Sequence, residues 1–142
     1  MHLDVRMHDD YVATLADWIA MLSISTRLIF EKVRERAIKE ITARLDKVEA
    51  FELVRLGIKF DVEQWLKPAY RRIVTRAELI TLTESAKIPV HVTLMLTRSR
   101  ERYWKCYNPN QSRGIQSQGD PDAIIEEEIR LMAAEFAETA KE

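Results

Sequence analysis

Few side chains in this sequence stand where they could do chemistry. His2 and His8, with Asp9 and Asp10, are metal-capable types near the N-terminus. Their spacing matches no recognised ligand set, so no metal site is expected there. His91 stands alone at the head of an apolar segment, and a surface or hydrogen-bonded histidine is the expected role. Cys106, the one cysteine, has no base near it in sequence to draw off its proton, and it reads as a bystander thiol. No Gly-rich phosphate loop and no Cys/His framework of zinc spacing is present. The sequence therefore assigns no catalytic residue, no cofactor and no metal, and it points away from an enzyme.

One dense cluster remains: Arg98, Arg100, Arg102, Tyr103, Trp104 and Lys105. Arginines track phosphate backbones and aromatic rings stack on bases, so this is the chemistry of nucleic-acid contact. Glu101 interrupts the cluster, and the chain is not basic, with 22 Lys and Arg against 23 Asp and Glu. The favoured expectation is a solvated helix face followed by aromatics that close a core. Nucleic-acid contact through Arg98, Arg100, Arg102 and Lys105, helped by Arg71, Arg72 and Arg76, is the alternative. Trp18, Trp65 and Trp104 are expected to anchor packing.

The charge is unevenly placed. Residues 108–142 carry three basic and eight acidic side chains, a net of −5, and the preceding residues carry nineteen basic and fifteen acidic, a net of +4. A lone cysteine allows no internal disulfide, which suits a reducing compartment. No apolar run approaches the ~20 residues that cross a bilayer, and the charged N-terminus lacks a signal-peptide pattern. Cytoplasm or nucleus is the expected location, with no membrane partner.

The elements that would position these residues are helices. Three glycines and four prolines are too few for an all-β fold of 142 residues. After an extended segment over 1–13, Thr14 and Asp17 form a capping pair for a first helix bearing Leu15, Trp18, Ile19 and Leu22, ending near Leu28. A second helix carries Phe30, Val33, Ala37, Ile38, Ile41 and Leu45 on one face. Asp46 and Glu49 are expected to open a third, broadly apolar helix with Val48, Phe51, Leu53, Val54, Leu56 and Phe60. Gly57 is expected to mark its end rather than a close helix approach.

The segment from Leu56 to Tyr70 reads as a tight corner between helices. Asp61 is the expected cap of the fourth helix, with Gln64 three residues on, and Phe60 and Trp65 have the spacing of a hydrophobic staple. Pro68 should bend this helix without ending it, because Val62, Trp65, Leu66, Ala69, Tyr70 and Ile73 keep helical spacing across it. Thr81 and Glu84 suggest a short fifth helix. Val90–Leu96 nearly alternates like a strand, yet it has no partner strand and runs without a turn signal into Arg98–Arg102, so a helix is expected. Asn108–Asp120 reads as a linker. Asp120-Pro121 then starts a helix with Ile125, Ile129, Met132, Phe136 and Ala140 on one stripe. The expectation is an all-α orthogonal array of about five to six helices over 14–107, followed by a linker (108–120) and an acidic amphipathic helix (121–142). Its core should include Trp18, Phe30, Val33, Phe51, Phe60, Trp65 and Tyr70.

Four blocks carry a family resemblance: Asp17-Trp18-Ile19-Ala20-Met21-Leu22, Phe30 to Ile41, Leu56 to Tyr70 with its Trp-Leu-x-Pro-Ala-Tyr core, and Thr81-Leu82-Thr83-Glu84. In order and spacing they resemble the helical region that follows the BTB/POZ domain in a large group of fungal proteins. The resemblance covers Asp17 to Trp104. Leu28 stands where that pattern has an aromatic residue, Ser85-Ala86 replaces a glycine, and Ile88-Pro89 replaces a Leu-Gly turn. With only a short segment before the first helix, a truncated or diverged member, or a fragment, is expected to lack the BTB fold. The resemblance implies a non-catalytic interaction protein, a scaffold or adaptor, whose partners are other proteins or a second copy. Ile125, Ile129, Met132 and Phe136 are the expected partner surface.

Overall fold

Thr14 starts the first helix as its sequence requires. Its hydroxyl accepts from the Asp17 N–H at 3.2 Å, and the Asp17 carboxylate accepts from the Thr14 N–H at 2.9 Å. This reciprocal pair satisfies two donors that a helix start would otherwise strand. The computed structural model describes residues 12–105 and 119–141, and every regular element among them is helical. His2, His8, Asp9, Asp10, Cys106 and most of the linker lie outside the described residues. Contacts group the chain into two units, one through Val48 and one from Glu49 onward.

In the first unit, α1 (Leu15–Leu28) packs on α2 (Glu31–Thr42). Leu22, Ala37 and Ile41 are fully buried. The Arg36 guanidinium lies 6.0 Å from the centre of the Trp18 ring, within cation–π range. Ile29 ends α1 in the left-handed region at φ 59, and the Phe30 N–H returns to the Ser25 carbonyl at 2.9 Å. That is the Schellman geometry, here without the glycine that usually makes it free of strain.

Two expected core residues are not in the core. Phe30 is 54% exposed and Val33 44% exposed. Phe30 belongs to the corner, at φ −91 and ψ 84, so it does not ride on the helical stripe. Val33 lies in the first turn of α2, short of the buried stretch that begins at Ala37. Trp18 is half-buried.

The third helix also starts later than its sequence suggests. A 3₁₀ turn over Leu45–Lys47 takes up Asp46, and Val48 is extended. Glu49 alone caps α3 (Ala50–Lys59), its carboxylate accepting from the Phe51 and Glu52 N–H groups, each at 3.0 Å.

In the second unit, Asp61 has the reverse of its expected role. It sits at φ 54 and closes α3, with the Val62 N–H returning to the Gly57 carbonyl at 2.8 Å and the Asp61 N–H to the Ile58 carbonyl at 3.4 Å. Asp tolerates the left-handed region better than branched residues do, and a residue so used cannot also cap the next helix. Helix α4 (Glu63–Thr75) therefore follows Val62, with no side-chain cap. The expected register of the staple shifts with it, although Phe60 and Trp65 are both buried. Gly57 does mark a close approach. A Cβ there would stand 2.7 Å from Leu66 Cδ2 and 3.3 Å from the Val62 carbonyl oxygen. Helix α4 runs unbroken through Pro68.

The short α5 (Leu82–Ser85) has the expected Thr81–Glu84 capping box. Val90–Lys105 forms α6, so the alternating segment is helical. Asp120 caps α7 (Pro121–Thr139) through the Asp122 N–H, with Pro121 in the first turn. Helix α4 is central, packing on α3, α6 and α7, and α6 also packs on α7. Phe51, Leu53, Val54, Leu56, Trp65 and Ile73 make a fully buried centre, and Tyr70 lies at its edge. Burial of each such aliphatic or aromatic side chain is worth about 1.5–3 kcal/mol, so this centre is what holds α3 and α4 together.

Candidate interaction surface

The basic cluster on α6 is occupied by the protein itself. Helix α4 leaves its last turn by an extended residue, Arg76 at ψ 149, and its final carbonyls need donors from elsewhere. The last two turns of α6 supply them. Arg100 Nη1 donates to the Ile73 carbonyl and, at 2.8 Å, to the Arg76 carbonyl. Trp104 Nε1 donates to the Val74 carbonyl at 3.2 Å. Arg100 is only 7% exposed, which corrects its expected place on a nucleic-acid surface. Burial, followed by the nearby Arg76 charge, lowers its pKa from the ordinary arginine range. The cation is held there by carbonyl oxygens at a helix C-terminus, where the backbone dipole favours positive charge.

The other three cations of the cluster are paired. Arg98 Nη1 donates to the Glu135 carboxylate at 2.8 Å. Arg102 Nη1 meets Glu128 at 3.0 Å, and Arg102 Nη2 meets Glu127 at 3.4 Å. Lys105 Nζ pairs with Glu101, one turn back, at 2.8 Å. Glu128 is buried, so its contact with Arg102 is the best shielded of these. On the α4 side, Lys67 Nζ reaches Glu126 at 2.6 Å, which raises the lysine pKa, and Arg71 reaches Asp122 at 3.5 Å.

Helix α7 thus lies along α4 and α6 with its acids facing their bases. Its apolar stripe splits in two. Ile125 and Met132, expected on the partner surface, are buried, at 2% and 7% exposed. Ile129 at 45% and Phe136 at 54% remain exposed. They form one wall of an open groove of about 490 Å³ between α7, α4 and α6. Leu66 and Tyr70 of α4, Val92 and Met95 of α6, and Ile125, Met132 and Ala133 of α7 complete its apolar lining. Glu63, Lys67, Glu126 and His91 stand in its wall as polar groups. The His91 ring meets Phe136 edge-on, with centres 5.5 Å apart.

The α6 contribution to this groove escaped the sequence. Val92 and Met95 are three residues apart on the expected helix, the spacing of a shared face, but nothing in the sequence shows which neighbours that face meets. The first unit has an exposed apolar corner of its own, with Ile24, Leu28, Ile29 and Phe30 all exposed. Among the described residues, no group of His, Cys, Asp or Glu could hold a metal ion, and no helix is long and apolar enough to cross a membrane.

Comparisons with known protein families, with curated proteins and with solved structures return no match.

Proposed function

We propose that this chain is a non-catalytic protein–protein interaction module, a scaffold or adaptor acting in the cytoplasm or nucleus. In this reading it corresponds to the helical region that follows the BTB/POZ domain of fungal proteins, and its partners are other protein chains or a second copy. The observation that carries the proposal is the groove of about 490 Å³ walled by Ile129 and Phe136, apolar side chains left open beside a basic cluster that is paired with carboxylates. An exposed apolar patch rimmed by polar groups is where protein partners bind. The exposed corner at Leu28, Ile29 and Phe30 supports the same reading.

The pairing of Arg98, Arg102 and Lys105 and the burial of Arg100 weigh against the nucleic-acid alternative, because phosphates would have to displace carboxylates already in place.

The test compares the wild-type chain with Phe136→Glu in affinity capture, identifying the bound proteins by mass spectrometry, with size-exclusion chromatography for self-association. Phe136 is 54% exposed and lies outside the buried centre, so the substitution should leave the fold intact by circular dichroism. It should remove a defined set of bound proteins or the self-association. A monomeric wild-type chain that binds the same proteins as Phe136→Glu would refute the proposal.

A further inference from the structure

The ion pairs between α7 and the rest of its unit all run one way. Asp122, Glu126, Glu127, Glu128 and Glu135 are on α7, and Lys67, Arg71, Arg98 and Arg102 are on α4 and α6. Over Pro121–Thr139 the helix carries six acidic residues and one basic. Only Ile125 and Met132 plug its apolar side into the unit. The open groove beside it shows that the apolar face of α4 and α6 is wider than the stripe that α7 covers.

We propose that the α4–α6 face is a seat for acidic amphipathic helices, that α7 is its resident occupant, and that a helix of the same chemistry from a partner protein exchanges with it. This rests on reading the chain as an interaction module, and it names the partner's chemistry. The recognition mode is helix-in-groove. Apolar anchors at i and i+7, as at Ile125 and Met132, set the depth, and the carboxylates set the register against Lys67, Arg71, Arg98 and Arg102. Two features make exchange feasible. Most of the ion pairs are solvent-exposed and screened by salt, so they select a partner more than they lock one in. The apolar plug is short, so a competing helix has few buried contacts to displace.

The experiment adds a fluorescent peptide of residues 120–141 to the full-length chain and follows its anisotropy. In the wild-type chain α7 competes and binding is weak. Ile125→Asp/Met132→Asp unseats α7 at its plug, and Glu127→Lys/Glu128→Lys/Glu135→Lys unseats it by charge, so one remains informative if the other fails to fold. Each released chain should bind the peptide at least about tenfold more tightly, the gain expected when a seat closed nine-tenths of the time is opened. Adding Arg98→Glu/Arg102→Glu to the first variant should abolish that gain. A peptide with Glu127, Glu128 and Glu135 replaced by Lys should restore it.

The proposal is overturned if folded released chains bind no better than the wild type, or if the charge-swapped peptide fails to rescue. It is also overturned if the released chains form dimers that exclude the peptide, since a second copy would then be the occupant. Any of these results alongside Phe136-dependent capture would remove this occupant and leave the interaction-module reading standing.

Discussion

Arg100→Met is the sharpest test of how this unit is held together. The substitution keeps an unbranched, mostly apolar side chain in place and removes the guanidinium. Two opposed effects follow. The buried cation is lost, and its burial is costly, as its depressed pKa shows. Against this, the Ile73 and Arg76 carbonyls lose their donor at the end of a helix with no backbone closure of its own. A hydrogen bond to a charged donor contributes about 1.5–3 kcal/mol, and a buried acceptor left unpaired costs a comparable amount. With two such bonds against one relieved desolvation, the net loss should be about 2–4 kcal/mol.

Urea unfolding followed by far-UV circular dichroism measures this directly. With an m-value of about 1.5 kcal/mol per molar urea, a loss of about 3 kcal/mol lowers the midpoint by about 2 M. Arg100→Lys should recover part of the loss, since an ammonium can reach a carbonyl but lacks the planar fork. Arg98→Met and Arg102→Met are the controls. Their pairs are largely exposed, so the loss should be about 1 kcal/mol or less at Arg98 and somewhat more at Arg102, which serves buried Glu128. If Arg100→Met costs no more than Arg98→Met, Arg100 is not the cap of α4, and the account of why α6 ends in arginine and tryptophan fails.

Other outcomes follow from single features. Ile29→Gly should stabilise the first unit by about 1 kcal/mol in thermal or urea unfolding, because Ile29 is 81% exposed, loses little packing, and is held at φ 59. Trp65→Ala should cost about 3–5 kcal/mol, which at the same m-value lowers the urea midpoint by about 2–3 M. The Arg76 guanidinium grips Glu84 through two bonds of 2.7 and 2.8 Å and holds its carboxyl at about 2, below its ordinary 4.5. A carboxylate lowered in the folded state contributes stability above its unfolded pKa and loses it as pH falls. Glu84→Gln should therefore weaken the fold at neutral pH, and its difference from wild type should shrink as pH falls from 4.5 towards 2.

Helix existence was legible wherever a local pattern specified it. The Thr14–Asp17 and Thr81–Glu84 boxes and the Asp120-Pro121 start all form as their spacing predicts. The errors fall where two local patterns compete for one residue. Asp61 fits the cap of a following helix and also the left-handed end of a preceding one. The second role wins because α3 gains two backbone bonds from it, to Gly57 and Ile58. Asp46 and Glu49 compete in the same way for one helix start, and Glu49 wins with two N–H groups on its carboxylate. Phe30 and Val33 show a different limit. Periodicity says that residues share a face, and it does not say how far along the helix a neighbour extends.

The basic cluster on α6 shows why the working surface was harder to read than the fold. In sequence, Arg98, Arg100, Arg102 and Lys105 are one patch. In the structure they serve separate ends, because residues two apart on a helix point about 200° apart. Arg100 turns inward to the end of α4, while Arg98 and Arg102 reach α7. Both sets of partners lie 24 or more residues away in the chain, beyond any local rule. The acidic bias of the last 35 residues, −5 against +4 before it, was visible, and so was the basic run on α6. What composition alone could not supply was that the two meet across one face. Once they do, the charges that suggested a ligand become internal contacts, and the apolar side chains they leave uncovered, Ile129 and Phe136, become the part of the surface still open to a partner.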